Sequence, residues 1–137
     1  MWGITSMRDL IAKIEAATGP DRVLDGDIWI AINGWQERDG CRIPDGVWHR
    51  QDPNDRIAFE APPAFTASID AAVSLVPDGH WWIAGNPTTD IPQASATVRR
   101  NGSDMADALV LFGATPALVI CAAALRVRLA MQDAGDA

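Results

Sequence analysis

Residues 108–125, ALVLFGATPALVICAAAL, run 18 positions without a charge, and no other stretch constrains the fold of this chain as strongly. That length sits at the lower edge of a membrane span, so the segment must either cross a bilayer or be buried inside protein. Its middle decides between them. Gly113-Ala114 suits the end of a strand, Thr115 is a good N-cap, and Pro116 fits the first helical position, where its missing N–H costs nothing. The run therefore reads as a buried strand followed by a buried helix. That helix, Pro116 to about Met131, carries Leu118, Ala122, Leu125 and Leu129 on one stripe and Ile120, Ala124, Val127 and Met131 on another. Being apolar nearly all round until Arg126, it must be covered on more than one side, as a central helix or as part of a subunit interface.

The rest of the chain supplies the layers around it. Ser6 with Asp9 three residues later is a capping-box variant, and Met7, Leu10, Ile11 and Ile14 continue a helical stripe to Ala17. Thr18-Gly19 breaks that helix, and Pro20 with Asp21 opens a second, along which Val23, Leu24, Ile28 and Ala31 keep helical spacing. Its IWIAI run also suits a strand; helix is the reading adopted. Residues 34–64 are rich in turn formers and hold no sustained period, with short edge strands expected near Val47-Trp48 and Ile57-Phe59. Irregular stretches of this length are lids, binding loops or interface pieces, or else variable solvated insertions.

Thr66 is expected to cap a third helix to about Val76, ended by Pro77-Asp78-Gly79. Strands follow at 80–85, 94–100 and 106–113, with NGSD at 101–104 as a hairpin signal between the last two. The order predicts an α+β fold: helices packed on a three- to four-stranded antiparallel meander, as a two-layer or α-β-α sandwich. A length of 137 residues fits one domain with 34–64 as an irregular excursion.

The formal charge of −7 argues against a nucleic-acid binder, because non-specific affinity for phosphate backbones rests on Lys and Arg. Cys41 and Cys121 form no disulfide framework and no CxxC pair, and the first residues, MWGITSMRDL, lack the build of a signal peptide; a cytoplasmic location is expected. His49 and His80 are the two histidines, and neither stands at a metal-ligand spacing, so no metal and no cofactor is expected. There is no G-x-S-x-G elbow, no GxGxxG and no phosphate-binding loop, and Cys41 lies eight residues from His49 without an orienting partner. The acids Asp25, Asp27, Asp52, Asp55, Asp70 and Asp90 are scattered, each read as a cap, a turn residue or a solvated face.

Three blocks, LIAKIEAATGPDRVLD, FTASIDAAVSLVPDG and ATPALVICAAALRVR, resemble in that order small phage and prophage proteins of the phage ABA-sandwich domain type. The resemblance implies a small α/β sandwich and a phage setting, and it brings no catalytic residues. Phage proteins of this size and shape look like the small oligomeric sponge proteins that sequester nucleotide signals made by bacterial anti-phage systems such as Thoeris and CBASS.

Within this frame the HWW at 80–82 is the candidate site. Strand alternation separates Trp81 and Ile83 from His80 and Trp82, and the expectation is that Trp81 fills the core while Trp82 and His80 face outward. Arg99 and Arg100 close the next strand, and Arg99 shares a face with Trp82 if the register permits, giving a guanidinium for phosphate beside an indole for a base. Trp48, His49 and Arg50 from the long excursion complete the candidate set. The function expected from these residues is non-catalytic sequestration of a small anionic nucleotide-like ligand by a homo-oligomer, the apolar last helix and six tryptophans being more than a small monomer readily hides. Two alternatives stand beside it: a protein-interaction module that blocks a host protein through an acidic or apolar surface, and a small hydrolase with an unrecognised site.

Overall fold

The computed structural model describes residues 6–33, 48–51, 57–60, 63–102 and 110–135. It has four helices and five strands among them: α1 Met7–Ala16, α2 Arg22–Asn33, β1 Trp48–Gln51, β2 Ile57–Glu60, α3 Ile69–Val73, β3 His80–Gly85, β4 Ala94–Arg100, β5 Leu111–Gly113 and α4 Pro116–Gly135. The expected α+β architecture is the one found. β3, β4 and β5 form an antiparallel meander in that order, and β1 and β2 pair antiparallel in a separate two-stranded sheet inside the turn-rich excursion.

Local chemistry accounts for the helix ends. Ser6 Oγ accepts from the Asp9 N–H at 3.1 Å and caps α1, while Asp21 Oδ1 accepts from Val23 N–H at 2.8 Å and Leu24 N–H at 3.2 Å and caps α2. Thr115 Oγ1 accepts from Leu118 N–H at 3.2 Å, so α4 begins where Thr115-Pro116 places it. α4 lies on β4 and β5 and against α1 and α3, and its residues from Ala117 to Leu125 are all buried. This is the helix whose apolar surface had to be covered on several sides, and the sheet and two helices do so. Leu10, Ile14, Ile28, Phe65, Leu75 and Val98 close the core around it, and the Trp29 and Phe65 rings meet at a centroid distance of 6.3 Å.

The third helix departs from expectation. α3 starts at Ile69 with Ser68 as its N-cap, Ser68 Oγ accepting from Ala71 N–H at 3.3 Å, and Thr66 does not cap it. Thr66 is occupied elsewhere. Its hydroxyl donates to Asp25 Oδ1 at 2.8 Å and accepts from Asp21 N–H at 2.8 Å, and its own N–H donates to the same Asp25 oxygen at 2.8 Å. The helix therefore waits for the next hydroxyl in the chain.

At the other end of the meander, Asn101 and Gly102 form a turn with Gly102 at φ +82° and β5 is described from Leu111; residues 103–109, which hold the second half of the hairpin signal and the expected start of the third strand, lie outside the described residues. Among the described residues, no helix is long and apolar enough to cross a membrane.

Candidate functional site

Which face each β3 residue occupies follows from β4. Ala94, Ala96 and Val98 are buried beneath α4, and residues directly opposite in an antiparallel ladder point to the same side. The register pairs His80 with Arg100, Trp81 with Arg99, Trp82 with Val98 and Ala84 with Ala96. His80, Trp82, Ala84 and Arg100 thus share the helix side, and Trp81, Ile83, Ser95, Thr97 and Arg99 share the opposite side, where Thr97 is buried, Trp81 and Arg99 are half-buried and Ile83 is exposed. Gly113, opposite Ala94, confirms the parity: a Cβ there would stand 2.7 Å from Val119 Cγ2 of α4.

The side each tryptophan takes relative to α4 differs from expectation, while their exposure follows it: Trp82 is exposed and Trp81 half-buried. Trp82 lies on the helix side, yet it stays 40% exposed because α4 covers β4 and β5 more fully than edge strand β3. Trp81 belongs to the side away from α4, and the grouping of Arg99 with Trp82 does not occur: the register places Arg99 opposite Trp81 instead. The arginine that joins His80 and Trp82 is Arg100, which is exposed.

The rim of the sheet is therefore one constellation, His80, Trp82 and Arg100. Directly opposite Cβ atoms stand about 5 Å apart and diagonal ones about 7–8 Å, so one small molecule can touch all three side chains. The turn before β3 fixes the first of them. Gly79 adopts φ +77°, a conformation that glycine takes without strain, and its carbonyl accepts from Asn101 N–H at 2.7 Å, tying the start of β3 to the end of β4. Upstream, Arg128 Nε of α4 donates to the Leu75 carbonyl at 2.7 Å and holds the chain that leads into this turn. His80 Nδ1 lies 3.1 Å from the Asp78 carbonyl oxygen. That oxygen only accepts, so the contact requires an Nδ1–H and leaves Nε2 to face other partners.

Trp48, His49 and Arg50 all fall on β1, in the sheet not hydrogen-bonded to β3–β5, and their side chains lie outside the described residues. Two surface grooves lie elsewhere. One of about 270 Å³ is lined by Met7, Ile32, Pro77, Arg128 and Met131. The other, of about 390 Å³, runs between α1 and α4, where the ion pairs Arg8–Asp133 and Arg126–Glu15 bridge the two helices. Neither lining contains His80, Trp82 or Arg100.

Sequence reasoning missed one buried polar centre altogether. Asp25 was counted among the scattered acids, but its side chain is buried: it takes both Thr66 donors and pairs with Arg22 Nη1 at 2.9 Å. Cys121 of α4 donates to the Phe65 carbonyl at 3.2 Å beside it. Burial pushes this thiol from 9.0 up to about 12, and the Asp25 charge acts in the same direction. A protonated thiol at that depth is a poor nucleophile and ligand, so the cluster fastens α2 to the 65–66 segment and α4. Among the described residues, no group of three or more His, Cys, Asp or Glu is arranged to hold a metal.

No protein-family model matches the chain, and comparison with curated proteins and with solved structures finds no similar one.

Proposed function

We propose that this protein binds, without transforming, a small anionic ligand carrying an aromatic base, and that the β3–β4 rim of His80, Trp82 and Arg100 receives it. The observation behind this reading is the register, which sets a guanidinium, an indole and an imidazole on one side of the sheet with Trp82 and Arg100 open to solvent. A guanidinium grips phosphate oxygens bidentately, an indole stacks a base, and the imidazole contributes a further polar contact. Nucleotide signals of bacterial immunity have this chemistry, and removing one from circulation requires affinity alone. The proposed setting is therefore a phage-type protein that sequesters such a signal.

Native mass spectrometry with a panel of cyclic nucleotides and cyclic ADP-ribose isomers tests it. The expected result is one panel member bound at fixed stoichiometry and recovered with unchanged mass after heating. A product of altered mass would indicate an enzyme instead.

A second reading has its own observation. Ile83 and Phe112, 51% and 52% exposed, stand on the side of the sheet away from α4, two exposed apolar side chains suited to a protein partner. A protein that binds nothing in the panel but retains a host protein through this face would favour it.

A further inference from the structure

Among the described residues β3 is an edge strand, and its own sequence carries none of the usual protection of an edge. Natural sheets blunt exposed edges with lysine, proline, bulges or inward-pointing charges. HWWIAG has no lysine, no proline and no carboxylate, and its ladder with β4 runs unbroken from His80–Arg100 to Gly85–Ser95. Among the described residues β3 pairs with β4 alone, and large apolar side chains are exposed on both its sides, Trp82 on one and Ile83 on the other. Such a strand offers a template of backbone donors and acceptors with side chains that favour further pairing.

We propose that the occupant of this edge is β3 of a second copy of the chain, antiparallel and centred on Trp82, so that two meanders join into one six-stranded sheet. The proposal goes beyond the ligand reading and does not depend on it. Two-fold symmetry about an axis normal to the sheet keeps each side chain on its own side, which requires opposite residues to differ by an even number. Centring on Trp82 meets this condition and uses the strand from His80 to Ala84: Trp82 faces Trp82 of the second copy, Trp81 faces its Ile83, and His80 faces its Ala84. Every pair is then aromatic–aromatic, aromatic–aliphatic or His–Ala, combinations that stabilise cross-strand neighbours without opposing like charges.

Charge points the same way. Two chains of net charge −7 repel, and β3 is a stretch to which neither brings a carboxylate. The register also carries the connection after Gly85 of each copy, with exposed Asp90, past the His80 end of the other, where Arg99 and Arg100 finish β4. The connection is closed by its own bonds, Thr88 N–H to the Ile91 carbonyl at 2.6 Å and Ile91 N–H to Thr88 Oγ1 at 2.9 Å.

Sedimentation equilibrium of the full chain tests the pairing, and cysteine cross-linking tests its register. Wild type is expected to be a dimer. Ile83→Lys, a charge on an exposed edge position, should sediment as a monomer with an unchanged circular dichroism spectrum, whereas Phe112→Lys on the opposite edge should remain dimeric. In a Cys41→Ser background, Trp82→Cys should form an intermolecular disulfide on mild oxidation, because facing Cα atoms stand about 5 Å apart. Ile83→Cys should not, because its two copies stand roughly 8 Å apart in this register, beyond disulfide reach. A monomeric wild type, a folded Ile83→Lys that remains dimeric, or a disulfide at 83 and none at 82 would each overturn the proposal. Nucleotide binding is read separately, by native mass spectrometry of wild type, so failure of the pairing and failure of the ligand reading are distinguishable.

Discussion

Asp25 shows how one buried carboxylate ties two segments together, α2 and the 65–66 stretch. It accepts both Thr66 donors and the Arg22 guanidinium, so Asp25→Ala leaves the buried Thr66 N–H without its acceptor and the hydroxyl with the Asp21 carbonyl at 3.1 Å, and should cost about 3 kcal/mol in denaturant unfolding. Thr66→Val keeps the backbone bond and loses the hydroxyl, and its expected cost is smaller, about 1–2 kcal/mol. The reverse order would show that the hydroxyl, not the carboxylate, is the centre. Cys121 gives a pH prediction with a defined sign. Its thiol sits near 9.0 when exposed and about 12 when folded, so between those values the folded chain holds the proton and the unfolded chain releases it. The contribution is complete below pH 9.0 and is lost as pH rises toward 12, at about 1.4 kcal/mol per unit. Thermal unfolding of wild type and Cys121→Ala across this range checks it: the two stability curves should converge as pH rises.

At the scale of elements, the close approach of α4 to β5 is the most demanding contact. A Cβ at Gly113 would meet the stiff Val119 branch at 2.7 Å, so Gly113→Ala should destabilise by about 1–3 kcal/mol through overpacking. Adding Val119→Ala should recover part of that loss, and a double-mutant cycle with no coupling would refute the steric account. The helices and the meander were legible in the sequence because their signals are local: Ser6 before Asp9, Thr115 before Pro116, and alternation along 94–98. The α3 start was not, since Thr66 and Ser68 are both competent caps and only the distant Asp25 decides which hydroxyl is free to serve. The same long-range bond hid Asp25 among ordinary surface acids.

For the molecule as a whole, the decisive quantity is the parity of β3. Alternation yields two sets, Trp81 with Ile83 and His80 with Trp82, but does not say which one the helices cover. That choice belongs to α4, which selects the small apolar row Ala94, Ala96 and Val98. The signal was present in β4 itself, whose apolar row Ala94, Ala96 and Val98 excludes Arg99. Arg100, and not Arg99, is therefore the arginine expected to work with Trp82. The direct test is calorimetric titration of wild type, Arg100→Ala and Arg99→Ala with the cyclic nucleotide and cyclic ADP-ribose panel. Affinity for the panel member that wild type binds should fall by about tenfold or more in Arg100→Ala and stay within about twofold in Arg99→Ala, as loss of one charge-assisted contact implies. Equal losses in the two variants, a larger loss at Arg99, or no binding of any panel member by wild type would contradict it.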